Sequence, residues 1–262
     1  MDTVSYAREY ISFMEEVNNN NHVLNVSTIT LICNLNVDNV SIQKFSENFK
    51  SKNGIVMKVQ SVIRDGCLDV SRRSKVKRAF FNQITLNYKD ISNKSIKIFS
   101  NGKLQITGLT SVYECNALSE YILSILQETL QDTTINITKR YIGMINSNFS
   151  TKTNLDLMRF NRILNKNNNV MSIYNPESYP AINMKLQLEQ TCTSIFIFGT
   201  GNIVTTGGKT LQDIRQSYQF IHKTIMENYD EVCRNTEFIV KTKNPEPLIH
   251  GYSIRQYMSC VY

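Results

Sequence analysis

The clearest pattern along the chain is a doubled apolar run. Residues 195–209 read IFIFGTGNIVTTGGK, with β-branched and aromatic residues on both sides of a Gly-Thr-Gly-Asn tetrad. Such runs about a glycine turn predict two antiparallel strands, the glycines supplying the positive φ angles of a tight turn. A second copy, IKIFSNGKLQITGLT, stands 99 positions earlier at 96–110. Ile96, Ile98, Phe99, Gly102, Thr107 and Gly108 recur as Ile195, Ile197, Phe198, Gly201, Thr206 and Gly207. Past the hairpins, Val112, Cys115, Ile122 and Leu126 and their counterparts Leu211, Ile214, Ile221 and Ile225 keep a 3.6-residue period, which predicts a helix in each copy.

Upstream, FNQITLNYK (81–89) and YPAINMKLQ (179–187) read as strands that begin with an aromatic. Before them come a strand and a short helix in each half: VSTITLICNLNV then SIQKFSENF, and YIGMINSNF then LDLMRFNRIL. Each half therefore reads strand, helix, three strands, helix. The 99-residue spacing exceeds the roughly 20–50 residues of solenoid units, so the chain is a duplicated domain with a pseudo-two-fold axis. The element order predicts an α+β fold, an antiparallel sheet with its helices on one face. The other face is left for solvent or a partner. By alternation, Lys97, Phe99, Gln105 and Thr107 share one face of the first hairpin, as Phe196, Phe198, Val204 and Thr206 do in the second.

The glycines invite a phosphate-loop reading, which the spacing rejects. Counting back from Gly208-Lys209-Thr210, the first glycine of a P-loop falls on Ile203, and the third glycine of a dinucleotide fingerprint falls on Val204. Three histidines with no triad or metal spacing leave an enzyme as the least favoured class and call for no cofactor. The formal charge of +7 and pI near 9.0 lean towards a polyanionic partner. Six cysteines lie scattered without a C-x-x-C pair, so neither zinc nor a disulfide framework is expected. Cys33, Cys115 and Cys192 sit in apolar patterns and are expected to be buried. The acidic N-terminus and the absence of an apolar run of about 18–20 residues predict a soluble intracellular protein with no membrane partner.

Three motifs carry a family resemblance. The hairpins IFSNGKLQITGLT and IFGTGNIVTTGGK resemble I-F-x-S-G-K-[IMV]-V-x-T-G-A-K. YNPESYPA at 174–181 resembles Y-E-P-E-L-F-P-G, and VSTITLICNLNV at 26–37 resembles V-S-T-V-N-L-G-C-K-L-D-L. These belong to the TATA-box-binding proteins, and over residues 23–232 the chain is similar to divergent members found in large DNA viruses. The resemblance implies a saddle of two tandem repeats forming one curved antiparallel sheet with helices on its convex face, which grips the minor groove of A/T-rich DNA from the concave side and bends it.

Carried over by position, the wedging aromatics of the family fall on Phe81, Phe99, Tyr179 and Phe198. Thr107 and Thr206 match threonines that contact minor-groove acceptors, and Val204 matches a valine on the groove floor, where Gln105 stands in the first repeat. Val26, Thr28 and Ile142 match first-strand contact positions, while Lys103 and Lys185 match basic residues facing phosphates. Glu177 matches a glutamate that faces a TFIIB-like initiation factor, which with the RNA polymerase machinery is the implied protein partner. The chain also departs from the family. The paired asparagines fall on Leu24 and Arg140, with Asn25 one position off register; Lys97 replaces a leucine, Asn202 a lysine and Asn175 a glutamate.

The expected layout is an N-terminal extension at 1–22, a first repeat at 23–130 with a basic insertion near 62–80, a second repeat at 131–232 and a C-terminal extension at 233–262. The first 18 residues predict an amphipathic helix. Function is expected as a non-enzymatic initiation factor acting in a host nucleus or a cytoplasmic virus factory. The alternative is an adaptor that keeps the saddle and has lost DNA binding.

Overall fold

A computed structural model describes residues 3–51, 54–59, 62–63, 82–89 and 92–234. Phe81, the basic insertion beyond residue 63 and the tail beyond Arg234 lie outside the described residues. In chain order the elements are α1 (Thr3–Asn19), β1 (Val23–Leu35), α2 (Ile42–Asn48), β2 (Ile55–Val59), β3 (Val62–Ile63), β4 (Gln83–Lys89), β5 (Asn93–Phe99), β6 (Lys103–Leu109) and α3 (Val112–Leu130). The second half gives β7 (Ile137–Ser150), β8 (Asn154–Leu155), α4 (Leu157–Leu164), β9 (Val170–Ile173), β10 (Ala181–Gln187), β11 (Cys192–Phe198), β12 (Asn202–Gly208), α5 (Leu211–Glu227), α6 (Tyr229–Val232) and β13 (Cys233–Arg234).

Eleven strands form one sheet in the order β3-β2-β4-β5-β6-β1-β7-β12-β11-β10-β9, every neighbouring pair antiparallel where register is defined, and β8 pairs separately with β13. The fold is the predicted α+β saddle with helices on one side of a curved sheet. Both halves have more strands than the pattern suggested: the first adds β2 and the two-residue β3, and the second adds β9 to the sheet and the two-residue β8 outside it, with β2 and β9 as the longest additions. Both are short apolar runs behind glycine or asparagine punctuation, IVMKV and VMSI, which are too brief to show alternation clearly.

One face of the sheet is dry. Ile29, Leu31 and Cys33 of β1, Ile96 and Ile98 of β5, Leu104 and Ile106 of β6, and their counterparts Ile195, Ile197 and Ile203 are all fully buried. Against them pack Cys115, Ile122 and Leu126 of α3 and Leu211, Ile214, Ile221 and Ile225 of α5, the residues picked out by the 3.6-residue period. Helix starts are capped by Ser41, Ser111, Asp156 and Thr210. The Gly-Lys-Thr stretch belongs to the last of these caps. Asp213 Oδ2 accepts from the backbone N–H of Lys209 at 2.8 Å and of Thr210 at 3.0 Å, so the amides a phosphate would need are taken. Cys33 and Cys115 are buried as expected, whereas Cys192, the first residue of β11, is exposed, because alternation places it on the outer side of the strand end.

The N-terminal helix α1 lies on the helix side, touching α3, α5 and β1. Phe13 and Val17 are fully buried, Phe13 lies edge-on to Tyr218 of α5 at 5.7 Å, and Glu16 pairs with Arg215 at 2.6 Å. The Tyr218 hydroxyl accepts from Asn20 Nδ2 at 2.9 Å and bonds His22 Nδ1 at 3.1 Å, while the His22 and His222 rings meet at 5.1 Å. No helix among the described residues is long and apolar enough to cross a membrane.

Two predictions follow from this packing. Gly201 turns the second hairpin at φ +76°, and a Cβ there would stand 2.2 Å from the Thr153 carbonyl oxygen. Gly201→Ala should lower the unfolding free energy by about 2–4 kcal/mol. Gly199→Ala, whose Cβ would meet nothing closer than 3.7 Å, should change it by no more than about 1 kcal/mol. Denaturant midpoints check both. Secondly, the His22 pKa is lowered to about 4 by burial first and then by the His222 and Lys152 charges, and burial also lowers His222 against the pull of Glu16. The unfolded chain takes up these protons near pH ~6.5 and the folded chain resists them, so this part of the stability is complete above that pH and is lost as pH falls towards about 4. The urea midpoint should drop between pH 7 and 4.5, and His22→Gln should reduce the drop.

Candidate nucleic-acid interface

The face opposite the helices is assembled from alternate residues of eight strands, and strand pairing ties them into rows. One row runs Thr85, Lys97, Gln105, Ile32, Tyr141 across β4, β5, β6, β1 and β7, each residue directly opposite the next. Its counterpart runs Asn183, Phe196, Val204, Asn148, Asn25 across β10, β11, β12, β7 and β1. Directly opposed residues of an antiparallel pair lie on the same side of the sheet, so each row is one continuous strip of surface. Gln105 and Val204 hold equivalent places, as do Lys97 and Phe196.

Most of the expected site residues share this face. Phe99 opposes Gln83, and Phe198 opposes Ala181, so one phenylalanine stands near each end of the open surface. Tyr179 is 45% exposed and packs edge-on to Phe198 at 6.2 Å and Phe196 at 6.0 Å, making a three-ring cluster in the second repeat. Thr107 and Thr206 flank the rows at equivalent places; Thr107 Oγ1 donates to the Ser95 carbonyl at 3.3 Å and Thr206 Oγ1 meets Met144 Sδ at 3.8 Å. Val204 lies between Phe196 and Asn148. Thr28 opposes Asn146 and accepts from its Nδ2 at 2.9 Å. Lys103 and Lys185 are exposed, Lys185 opposing Ser194.

Val26 and Ile142 do not belong with them. Each central strand carries a register irregularity, between Val26 and Thr28 on β1 and opposite Thr30 and Leu31, where Gly143 of β7 is the extra residue. One extra residue reverses the side to which every later side chain points. Val26 opposes Ser147, and both are buried on the helix side. Ile142 opposes fully buried Leu31 and packs against the core. The same shift carries Leu24 and Arg140 to the helix side, where Arg140 Nε donates to Ser119 Oγ of α3 at 2.9 Å and its guanidinium pairs with Glu120. Gly143 lets the strands close at the bulge, since a Cβ there would stand 2.9 Å from Ile32 Cγ1.

In their place the open face presents Asn25, which the family match set one position off register, and three residues that no motif singled out, Asn148, Ile32 and Tyr141. Asn25 and Asn148 face each other across the two central strands, next to Val204, and neither side chain is hydrogen-bonded to another described residue. Ile32 and Tyr141 take the equivalent places on the first-repeat side. The signal that could have found them is the pairing register, which a bulge changes without leaving a mark in the local pattern. The turn in YNPESYPA at 174–181 is braced by Asn175: its side-chain oxygen accepts from the Glu177 N–H at 3.1 Å and its carbonyl from the Ser178 and Tyr179 N–H groups at 3.1 and 3.0 Å. Glu177 is exposed on this turn. Among the described residues, no three His, Cys, Asp or Glu side chains gather as a metal site requires.

Two repeats in one curved sheet, helices on one side and an aromatic-bounded open face on the other, define a saddle-type module. Residues 142–228 match the family described as transcription factor TFIID, or TATA-binding protein. The chain is similar to a TATA-box-binding protein-like protein of Acanthamoeba polyphaga mimivirus, at 28% identity over 87% of this chain and 71% of that one. Its fold is that of the Methanococcus jannaschii TATA-binding protein, with a TM-score of 0.52 at 18% identity over 78% of this chain and 98% of that one. The chain is similar to divergent TATA-box-binding-protein-like proteins, the viral form among them, and shares their saddle fold.

Proposed function

We propose that the chain is a transcription factor that lays the minor groove of A/T-rich promoter DNA along its open sheet face and bends the duplex there. The observation that carries this reading is the symmetric placement of Phe99 and Phe198 at the two ends of an open, helix-free surface. From β5 to β11 there are five strand spacings, about 24 Å at ~4.8 Å each. That is the rise of about seven base pairs at ~3.4 Å per pair. Aromatic rings at both ends can enter base steps and partly unstack them, which kinks the duplex away from the groove they occupy. Phe99 and Phe198, joined by Tyr179, take that role, and the family resemblance gives it to Phe81 as well. Thr107, Thr206, Val204 and Thr28 form the floor between them, with Asn25 and Asn148 in place of the family's asparagines, and Lys103 and Lys185 meet phosphates. An A·T pair offers only acceptors in the minor groove, whereas G·C adds an amine that an apolar floor cannot satisfy.

Fluorescence transfer between dyes at the ends of an A/T-rich duplex should rise on binding, and Phe99→Ala combined with Phe198→Ala should remove the rise. A tight complex with unbent DNA would overturn the bending, and no binding at all would leave the adaptor as the reading.

The protein partner is a TFIIB-like initiation factor that brings in the RNA polymerase machinery, docking at the Asn175-braced turn through Glu177. A carboxylate on a preordered turn pairs with a basic side chain at little extra loss of entropy. Glu177→Arg should weaken recruitment of that factor to the protein–DNA complex by about tenfold, chiefly in association rate, with DNA affinity changed less than about threefold. Surface-binding kinetics on preformed complexes provide the check.

A further inference from the structure

The two rows that line the open face are equivalent in position and opposite in chemistry. In the second repeat the places on β11 and β12 hold Phe196 and Val204, and the first repeat holds Lys97 and Gln105 there. At the central strands the order is reversed: Asn148 and Asn25 stand beside Val204, and Ile32 and Tyr141 stand beside Gln105. Lys97 and Gln105 are half-buried among neighbours on the sheet, and their side chains make no hydrogen bond to another described residue. Gln105 borders a cleft shared with Ile32, Phe99 and Tyr141, so there is room in front of its amide.

We propose that Gln105, with Lys97, makes the first-repeat half of the site accept a G·C pair that the second-repeat half rejects, so that the chain reads a duplex of unequal halves. The inference rests on the minor-groove reading above. A guanine amine pressed against Phe196 and Val204 loses its water and gains no acceptor, which is the costly outcome for a buried donor. The side-chain oxygen of Gln105 can accept from that amine while its Nε2 donates to a neighbouring base acceptor. Lys97 supplies donors only, to base acceptors or to a phosphate. Asn148 is the polar residue directly opposite Val204, but it stands one strand towards the middle of the sheet, so the acceptor it offers lies beside Phe196 and Val204 and not over them.

The test uses the full chain and four duplexes of one length: all A·T, G·C at one inner position of either half, and G·C in both. Because the free duplex can turn end for end, one G·C in either half should be placed over the first repeat. Its affinity should stay within about threefold of the all-A·T duplex, and G·C in both halves should be weaker by about tenfold or more. The readout is the ratio of affinities for each protein, which does not depend on how a substitution alters binding in general. In Gln105→Val the single G·C should already cost about tenfold. In Val204→Gln the penalty for G·C in both halves should shrink to a fewfold. If wild type loses as much from one G·C as Gln105→Val does, or Val204→Gln leaves the double penalty intact, the inference is overturned while the groove-binding reading stands. If the wild-type chain binds none of the four duplexes, both are overturned.

Discussion

The structure depends on the long antiparallel pairing of β1 with β7. It joins the first strand of each repeat over almost its whole length, from Val23 opposite Ser150 to Leu35 opposite Ile137. Without it each repeat would present a bare central edge of unpaired N–H and C=O groups. With it, two five- or six-stranded half-sheets become one sheet of eleven strands. The pairing also sets the pseudo-two-fold relation, so that what stands near one end of the open face has a counterpart near the other.

Long ladders twist, and the bulges at Ser27 and Gly143 are where this one adjusts. Their consequence is an exchange between faces. Leu24, Val26, Arg140 and Ile142 go under the helices, and Asn25, Ile32, Tyr141 and Asn148 come out. Arg140 then has a definite role on the helix side, tying β7 to α3 through Ser119 and Glu120. The helix layer is reinforced by α1, whose Phe13 and Glu16 converge on α5 together with Asn20 just beyond the helix end.

Symmetry of backbone does not impose symmetry of chemistry. The same structural place holds Lys94, ion-paired with Glu114 at 2.6 Å, in the first repeat and Thr193, bonded to Ser217 at 2.9 Å, in the second. On the open face the contrast between Lys97 with Gln105 and Phe196 with Val204 is of the same kind. On the helix side such differences are absorbed by packing; on the open face they are presented to whatever binds there.

Much was legible in the sequence because it is written in short-range pattern. The 99-residue repeat, the glycine turns and the 3.6-residue stripe are short-range patterns, and they were enough for an α+β fold of two copies with Phe99, Phe198, Thr107, Thr206 and Val204 on its free face, while the saddle came from the family resemblance. The outer strands β2 and β9 were lost because four or five residues are too few to show a period. The side to which Val26 and Ile142 point, and the meeting of Asn25 with Asn148, were decided only by tertiary structure. Their direction depends on where one strand slips by a residue against another more than 100 positions away, and alternation within a strand carries no record of that slip.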